Sequence, residues 1–216
     1  MSYDPYNPLD EKNLGASVAE ALLEKTPVPM NNIPPFVGAG LYAIYYTGNF
    51  PEYAPIAERN RGKKFQWPIY VGKAIPKGAR KGGVGLGGAP GPELFNRLQE
   101  HKESIELAEN LDIADFHCRI LVVKDIWIPL GESLLIAKFS PVWNKVVEGF
   151  GNHDPGSGRY QGKRPRWDVV HPGRPWAAKC QDRAETQRQI LRELSAHLRV
   201  ASIPVKPKLL IDEDEE

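Results

Sequence analysis

Two short apolar segments, each carrying a tyrosine, constrain the fold of this chain more than any other feature. Residues 41–46 are rich in aromatic and β-branched side chains and are followed by a Thr-Gly pair, which is typical of a strand and a turn. Residues 67–71 have a similar composition, and 27 residues separate Tyr42 from Tyr70. The two segments therefore predict a β-hairpin that is widened by an insertion.

Helical and extended patterns occupy much of the remaining chain. They predict a helix that ends near Pro27, a short helix within 51–61, a helix that begins near Pro92, a strand over 116–123 and helices over 132–139 and 182–200. Residues 148–180 are rich in Gly, Pro and Arg and show little periodicity. Because 41% of all residues are hydrophobic, this region is expected to form ordered loops rather than a disordered segment.

A small set of polar residues lies on these apolar elements. Arg97 and His101 are four residues apart, so a helix places them on one face, within reach of a single phosphate. The arginine could neutralise developing charge there and the histidine could carry a proton. An ordinary polar helix surface would show the same spacing, and the pair alone does not separate the two interpretations.

Glu132 comes just before an apolar run, so it is predicted to lie in the first turn of a helix. The helix dipole favours a carboxylate at that place, which is one explanation for it. The other is a ligand for a hard cation, since Mg²⁺ is often held by one or two carboxylates together with phosphate and water. A single carboxylate predicts one metal ion per site.

Two basic blocks stand out on a chain whose formal net charge is only +1. Residues 59–81 contain eight basic residues and no acidic one, and residues 156–180 contain six basic residues and one acidic residue. The acidic residues 212–216 offset five of these charges. The blocks indicate local contact with a polyanion, although either could be a solvated surface.

Several classes of function are not supported by the sequence. Cys118 and Cys180 lack the spacing of a zinc site or a disulfide framework. The glycine-rich segment 82–91 is not followed by Gly-Lys-Ser/Thr, so no nucleotide cofactor is expected. The chain shows neither a signal peptide nor an apolar run of membrane-spanning length, so we expect a cytoplasmic protein without a membrane partner.

The order of these residues resembles the GIY-YIG nuclease superfamily. Gly40-Leu41-Tyr42 corresponds to the first tripeptide and Tyr70-Val71-Gly72 to the second, with Leu and Val in place of the two isoleucines. Arg97, Glu132 and Asn144 follow in the family's order. The spacing of the two tyrosines is longer than is usual in the superfamily.

More specific segments resemble the type II restriction endonucleases of this superfamily. They are residues 38–43, 68–74, 143–144, 149–153 and 167–174. That subgroup carries the same kind of insertion between the tyrosines and cuts palindromes made only of G and C. The resemblance implies an α+β fold, with a small central antiparallel sheet flanked by helices.

The length of 216 residues predicts one domain over residues 1–216. Its parts would be an N-terminal arm and helix (1–36), a catalytic core (37–147), a DNA-reading loop region (148–181) and a C-terminal helix with an acidic tail (182–216).

The catalytic roles implied by the resemblance fall on six residues. Tyr42 would act as the general base or orient the attacking water, and Tyr70 would complete the water network. Arg97 would stabilise the phosphorane-like charge, and His101 would assist proton transfer. Glu132 would bind one Mg²⁺, and Asn144 would fix the local geometry. The residues do not decide which tyrosine removes the proton.

The expected substrate is double-stranded DNA. Cleavage of both strands of a palindrome needs two sites related by two-fold symmetry, which predicts a homodimer. The candidates for phosphate contact are Lys73, Lys77, Arg80 and Lys81, and the candidates for reading guanine from projecting loops are Arg159, Arg164, Arg166 and Arg174.

Three alternatives remain. The first is a repair- or homing-type nicking nuclease of the same superfamily, and the second is a non-catalytic nucleic-acid-binding module on the same scaffold. The third is an HNH-type nuclease, suggested by the pair Asn152-His153, which would need further metal-binding histidines around a ββα unit.

Overall fold

A four-stranded antiparallel sheet forms the centre of the protein. The computed structural model describes residue 7 and residues 9–76 and 91–201. The strands are β1 (Val28–Pro29), β2 (Gly40–Tyr46), β3 (Pro68–Ala74) and β4 (Phe116–Val122), and their order across the sheet is β1-β4-β2-β3. The strand β2 therefore has a partner on both sides, whereas β3 has its free edge open to other elements.

Helices flank this sheet. They are α1 (Glu11–Leu23), α2 (Ala54–Asn60), α3 (Glu93–Leu107), α4 (Ile128–Phe139), α5 (Val142–Lys145), α6 (Arg166–Val170) and α7 (Gln187–Val200). The predicted fold class, a small antiparallel sheet between helices, is confirmed. Within the described residues, no helix combines the length and apolar character needed to cross a membrane.

The predicted hairpin is formed by β2 and β3, which pair antiparallel with Tyr42 opposite Gly72. The insertion between them contains α2 and is closed by the buried side chain of Asn60. Its amide nitrogen donates to the carbonyls of Tyr46 and Trp67, and its amide oxygen accepts from the Trp67 N–H at 2.9 Å. One fully satisfied amide therefore joins the two strand ends across the insertion.

The two faces of β2 carry different neighbours because successive side chains in a strand point to opposite sides. Tyr42 faces α3, where it contacts His101. Leu41 faces α4, which approaches so closely at Gly131 that a Cβ atom there would lie 2.5 Å from Leu41 Cδ1. Since β3 is at the edge of the sheet, side chains from the two faces of the sheet can approach one another beside its free edge.

The predicted place of Glu132 in the first turn of its helix is wrong. The helix α4 begins at Ile128, with Pro129 in its first turn, so Glu132 is the fifth helical residue. Pro129 suits the first turn because its missing N–H has no partner there in any helix. Gly131 lies inside the helix, at the point of close packing on Leu41 and Val18.

The predicted start of the last helix at residue 182 is also wrong. The helix α7 begins at Gln187, and Thr186 caps it through a reciprocal pair of hydrogen bonds with Gln189. The two-residue strand β1 and the short helices α5 and α6 were not predicted, because elements of two to five residues are too short to show a hydrophobic period.

A buried hydrogen-bond chain runs through the core beneath the loop region. Trp143 Nε1 donates to the Tyr53 hydroxyl at 2.7 Å, and that hydroxyl lies 2.7 Å from His171 Nε2. His171 Nδ1 lies 2.8 Å from the side-chain oxygen of Asn110. Each group finds a partner only if the imidazole is neutral, with its proton on Nδ1. Burial accordingly lowers the pKa of His171 to about 3.

Acidification is expected to destabilise the protein through this histidine. Its pKa falls from 6.5 in the unfolded chain to about 3 in the native state, so below pH 6.5 the unfolded chain takes up a proton that the native state excludes. From pH 7 to about pH 5 the free energy of unfolding should fall by roughly 2 kcal/mol through His171 alone, and the loss should continue towards pH 3. Urea denaturation at both pH values measures it. Equal stability would contradict a neutral, buried His171.

Candidate active site

Tyr42 and His101, two of the predicted catalytic residues, form a direct pair. The Tyr42 ring is buried, and its hydroxyl lies 2.5 Å from His101 Nε2. His101 comes from α3, is 1% exposed, and stacks on Phe150 with the ring centroids 4.4 Å apart. The phenol thus has one fixed imidazole partner, held from behind by an aromatic ring.

Both members of the pair are neutral. Burial raises the pKa of the Tyr42 phenol well above its ordinary value, and the Arg97 charge only partly opposes this rise. Burial lowers the pKa of His101 well below its ordinary value, and positive charge on Arg97 and Arg174 lowers it further. A neutral phenol next to a neutral imidazole can donate its proton to Nε2. Tyr42 can therefore pass its own proton to His101 when the Tyr42 hydroxyl accepts a proton from another group.

The glycine of the second tripeptide makes room for this pair. Gly72 lies opposite Tyr42 across the hairpin, and a Cβ atom at position 72 would be 2.3 Å from the Tyr42 hydroxyl oxygen. Any other residue would have to displace the phenol or distort the strand, because contacts below 3.0 Å do not occur at real Cβ atoms. The position of the Tyr42 hydroxyl thus depends on Gly72.

Asn144, from α5, secures the free edge of β3. Its amide oxygen accepts from the Val71 N–H and its amide nitrogen donates to the Val71 carbonyl, both at 2.8 Å. The side chain thereby replaces the neighbouring strand that an edge strand lacks. Val71 lies between Tyr70 and Gly72, so this contact fixes the backbone that positions both.

Arg97 extends from α3 toward the two tyrosines. Its Nη1 donates to Glu100 Oε2 at 2.9 Å and its Nη2 donates to the Gly151 carbonyl at 2.7 Å. Burial raises the pKa of Tyr70, and the adjacent Arg97 charge opposes that rise. Tyr42 and Tyr70 therefore share one guanidinium.

Glu132 reaches the same region from the opposite face of the sheet, where it pairs with Lys73. The Lys73 ammonium lies 2.6 Å from Glu132 Oε2, and the two side chains are 32% and 19% exposed. Among the residues that the structure describes, no group of three or more His, Cys, Asp or Glu side chains is placed to hold a metal ion, so Glu132 would have to act as a single protein ligand. A partly exposed single carboxylate fits Mg²⁺, whose other ligands can be water and substrate phosphate.

An open cleft of about 840 Å³ joins these groups. Its walls include Tyr42, Tyr70, Lys73, Arg97, Glu132 and His153. Of the six predicted catalytic residues, Tyr42, Tyr70, Arg97 and Glu132 line the cleft, while His101 and Asn144 support it from behind.

Two neighbours of Arg97 were not identified from the sequence, namely Glu100 and His153. Glu100 lies three residues after Arg97 on α3, so helical spacing offered a signal for it. His153 belongs to the loop that follows Gly149, and its Nε2 lies 2.7 Å from Arg97 Nη1. Only a long-range contact between this loop and α3 brings it to the cleft.

The structure places the predicted DNA-contacting residues in different surroundings, and Lys73 lies in the cleft beside Glu132. Lys77, Arg80 and Lys81 lie outside the described residues. Arg164 and Arg166 form ion pairs, the first with Asp182 and the second with Glu185 and Glu193. Arg159 is exposed, and within the described part of the chain no hydrogen bond or ion pair engages its side chain.

The expectation that Arg174 projects from a loop is wrong. Arg174 is 3% exposed and binds Asp168 through two charge-assisted hydrogen bonds, of which the Nε–Oδ1 bond measures 2.6 Å. It also donates to three backbone carbonyls, those of Gly149, Phe150 and Asn152. Its guanidinium carbon lies within 5 Å of the centroids of two tryptophan rings. These contacts leave Arg174 enclosed by protein rather than free to reach a base.

The β2–β3 hairpin carries the segments Gly40-Leu41-Tyr42 and Tyr70-Val71-Gly72, and the polar residues beside it line one cleft. Residues 34–198 match the family of the Eco29kI GIY-YIG domain. The match covers more than half of the chain, and the chain belongs to this family of restriction-type nucleases. It is thus a hydrolase with DNA as its substrate class. A comparison with curated proteins found no match.

Proposed function

We propose that this protein is a type II site-specific endonuclease that uses Mg²⁺ to cut both strands of a palindromic, GC-rich DNA site. The observation that carries the proposal is the convergence of the Tyr42–His101 pair, Arg97 and Glu132 on one open cleft. General base, charge stabiliser and metal ligand are the groups that phosphodiester hydrolysis requires.

In the proposed reaction, Tyr42 is the general base. Its hydroxyl oxygen accepts a proton from the attacking water while its own proton moves to His101 Nε2 along their hydrogen bond, in which the oxygen and nitrogen are 2.5 Å apart. This transfer avoids a free phenolate, which the buried environment disfavours. The negative charge of the bound phosphate would offset the cost of a charged imidazole beside Arg97.

Arg97 supplies the fixed positive charge. Its guanidinium lies between the two tyrosines and the loop carbonyl of Gly151, so it is positioned before substrate binds. A preorganised cation facing the phosphate stabilises the charge that develops on the phosphoryl oxygens. Tyr70 would orient the water, and Asn144 would keep the β3 backbone in place.

Glu132 would hold one Mg²⁺, which when bound would neutralise charge on the scissile phosphate. Lys73 Nζ, at 2.6 Å from the carboxylate, could then turn from Glu132 to a phosphate oxygen, because its side chain is one-third exposed. The predicted role of Lys73 in phosphate contact is retained in this form.

The homodimer remains part of the proposal because a single cleft reaches one strand. Two copies related by a two-fold axis would place one cleft on each strand of a palindrome. The GC-rich site rests on the resemblance to the restriction subgroup and on the exposed Arg159, since arginine pairs with the O6 and N7 atoms of guanine.

Replacing Glu132 by glutamine is expected to abolish Mg²⁺-dependent cleavage, with a loss of at least about 100-fold. The amide keeps the shape of the side chain but removes the charge that would hold the cation. The measurement is digestion of supercoiled plasmid with Mg²⁺, and Glu103→Gln is the control, an exposed glutamate on α3 away from the Lys73 pair.

The plasmid products separate the proposal from its alternatives. Discrete linear fragments from the wild-type protein support a type II endonuclease. Nicked circles alone would indicate a nicking nuclease of the same superfamily. DNA binding without cleavage under any divalent metal would indicate a non-catalytic module and would reject the proposal.

A further inference from the structure

We propose that His153 is a positioning residue that holds the Arg97 guanidinium in its catalytic orientation. The proposal rests on the function assigned above to Arg97 and adds a residue that acts through it. The contact is direct, since His153 Nε2 lies 2.7 Å from Arg97 Nη1.

The contact defines the protonation state of His153. Arginine has only donors, so Nε2 must accept the hydrogen bond with its lone pair, and the ring proton must be on Nδ1. The imidazole is therefore neutral when it binds Arg97. A neutral acceptor orients the guanidinium without cancelling its charge, which stays available for a phosphate.

The other contacts of Arg97 show why this acceptor matters. The Gly151 carbonyl fixes Nη2 from the same loop. Glu100 binds Nη1 as well, but its side chain is 47% exposed and as an anion it competes with phosphate for the guanidinium. Together, the Gly151 carbonyl and His153 hold Arg97 from the loop side with two uncharged acceptors.

The location of His153 also suits this role. Its side chain is 62% exposed and lies where the catalytic cleft meets a second depression of about 430 Å³. The cleft and the depression share three lining residues, namely Arg97, Glu100 and His153. The loop that carries His153 is anchored from below by Arg174, which binds the carbonyls of Gly149, Phe150 and Asn152. An anchored loop can position a side chain at the rim of the cleft.

The first test compares His153→Ala with His153→Gln. The alanine variant should lower the single-turnover cleavage rate by about 10- to 100-fold, because a small displacement of a catalytic group is enough for such a loss. The dissociation constant for DNA should change by less than about 3-fold. The glutamine variant supplies a neutral acceptor and should retain most of the rate. Asn152→Ala, an exposed neighbour in the same loop, is the control.

A double-mutant cycle tests whether His153 acts through Arg97. In an Arg97→Lys background, His153→Ala should have little further effect on the rate, whereas additive losses would reject the proposal. A loss of DNA affinity as large as the loss of rate would likewise reject it, since that result assigns His153 to phosphate binding.

A spectroscopic measurement separates this proposal from the proposed function. The ¹⁵N signals of the Arg97 guanidinium report rotation about its C–N bonds without any DNA or cleavage. Rotation should be faster in His153→Ala than in the wild type and close to the wild type in His153→Gln. Unchanged rotation in His153→Ala would overturn the proposal, even if the protein cuts no DNA.

Discussion

Tyr42→Phe is expected to slow DNA cleavage by about 10²- to 10⁴-fold, which is the usual contribution of a general base. The substitution removes only the hydroxyl that lies 2.5 Å from His101 Nε2. The ring keeps its place in the core, where Tyr42 is fully buried. Without the hydroxyl, the attacking water has no proton acceptor that is hydrogen-bonded to His101. The rate of the chemical step should therefore fall, rather than the affinity for DNA.

Tyr45→Phe provides a matched control for this prediction. Tyr45 is as buried as Tyr42 and lies three residues further along β2, but its hydroxyl binds Arg119 at 2.7 Å, away from the cleft. The measurement is single-turnover cleavage together with DNA affinity for both variants. Equal rate losses in the two variants would show that the effect of Tyr42→Phe comes from packing, and an unchanged rate in Tyr42→Phe would remove Tyr42 as the base.

The sequence predicted the hairpin and the shared helix face of Arg97 and His101 because both depend on local patterns. The hairpin follows from the composition of residues 41–46 and 67–71, and the pairing of Arg97 with His101 on one face follows from helical spacing. Elements long enough to show a hydrophobic period were found, with errors at their ends. The start of α4 was misplaced because it was inferred from the apolar run after Glu132, whereas the helix begins at Ile128 and already includes Gly131.

The loop region could not be predicted because long-range contacts determine its structure. Two histidines illustrate this. His171 sits in the core, where it bonds to Tyr53 across 118 positions of sequence, whereas His153 lies at the cleft, where it contacts Arg97 across 56 positions. Nothing in the neighbouring residues distinguishes the buried histidine from the exposed one. The four arginines of this region also differ in their surroundings, since Arg174 is enclosed and Arg159 is exposed.

Arg174 links the stability of the protein to its catalytic site. The loop from Gly149 to Asn152 contributes no strand to the sheet. It nevertheless supplies Phe150, which stacks on His101, and the Gly151 carbonyl, which binds Arg97. Arg174 satisfies three carbonyls of this loop, and its charge is balanced by Asp168. The positions of His101 and Arg97 therefore depend on a buried ion pair that does not line the cleft.

Arg174→Met is expected to destabilise the protein by about 3–5 kcal/mol, the usual effect of removing one partner of a buried ion pair. The Asp168 carboxylate, whose side chain is 1% exposed, would remain buried without its cation. Urea unfolding followed by tryptophan fluorescence measures the loss. Arg159→Met is the control, and it should change stability by less than about 0.5 kcal/mol because that side chain is exposed.

The double variant Asp168→Leu/Arg174→Met distinguishes the buried ion pair from general disruption of the loop. If the unpaired carboxylate causes most of the loss, removing it as well should restore a large part of the stability, because replacing both members of a buried pair with apolar residues is often neutral. The three loop carbonyls would still lack their donors, so the recovery should be incomplete. Wild-type stability in Arg174→Met, with a selective loss of affinity for the recognised DNA site, would instead restore the role of Arg174 in reading bases.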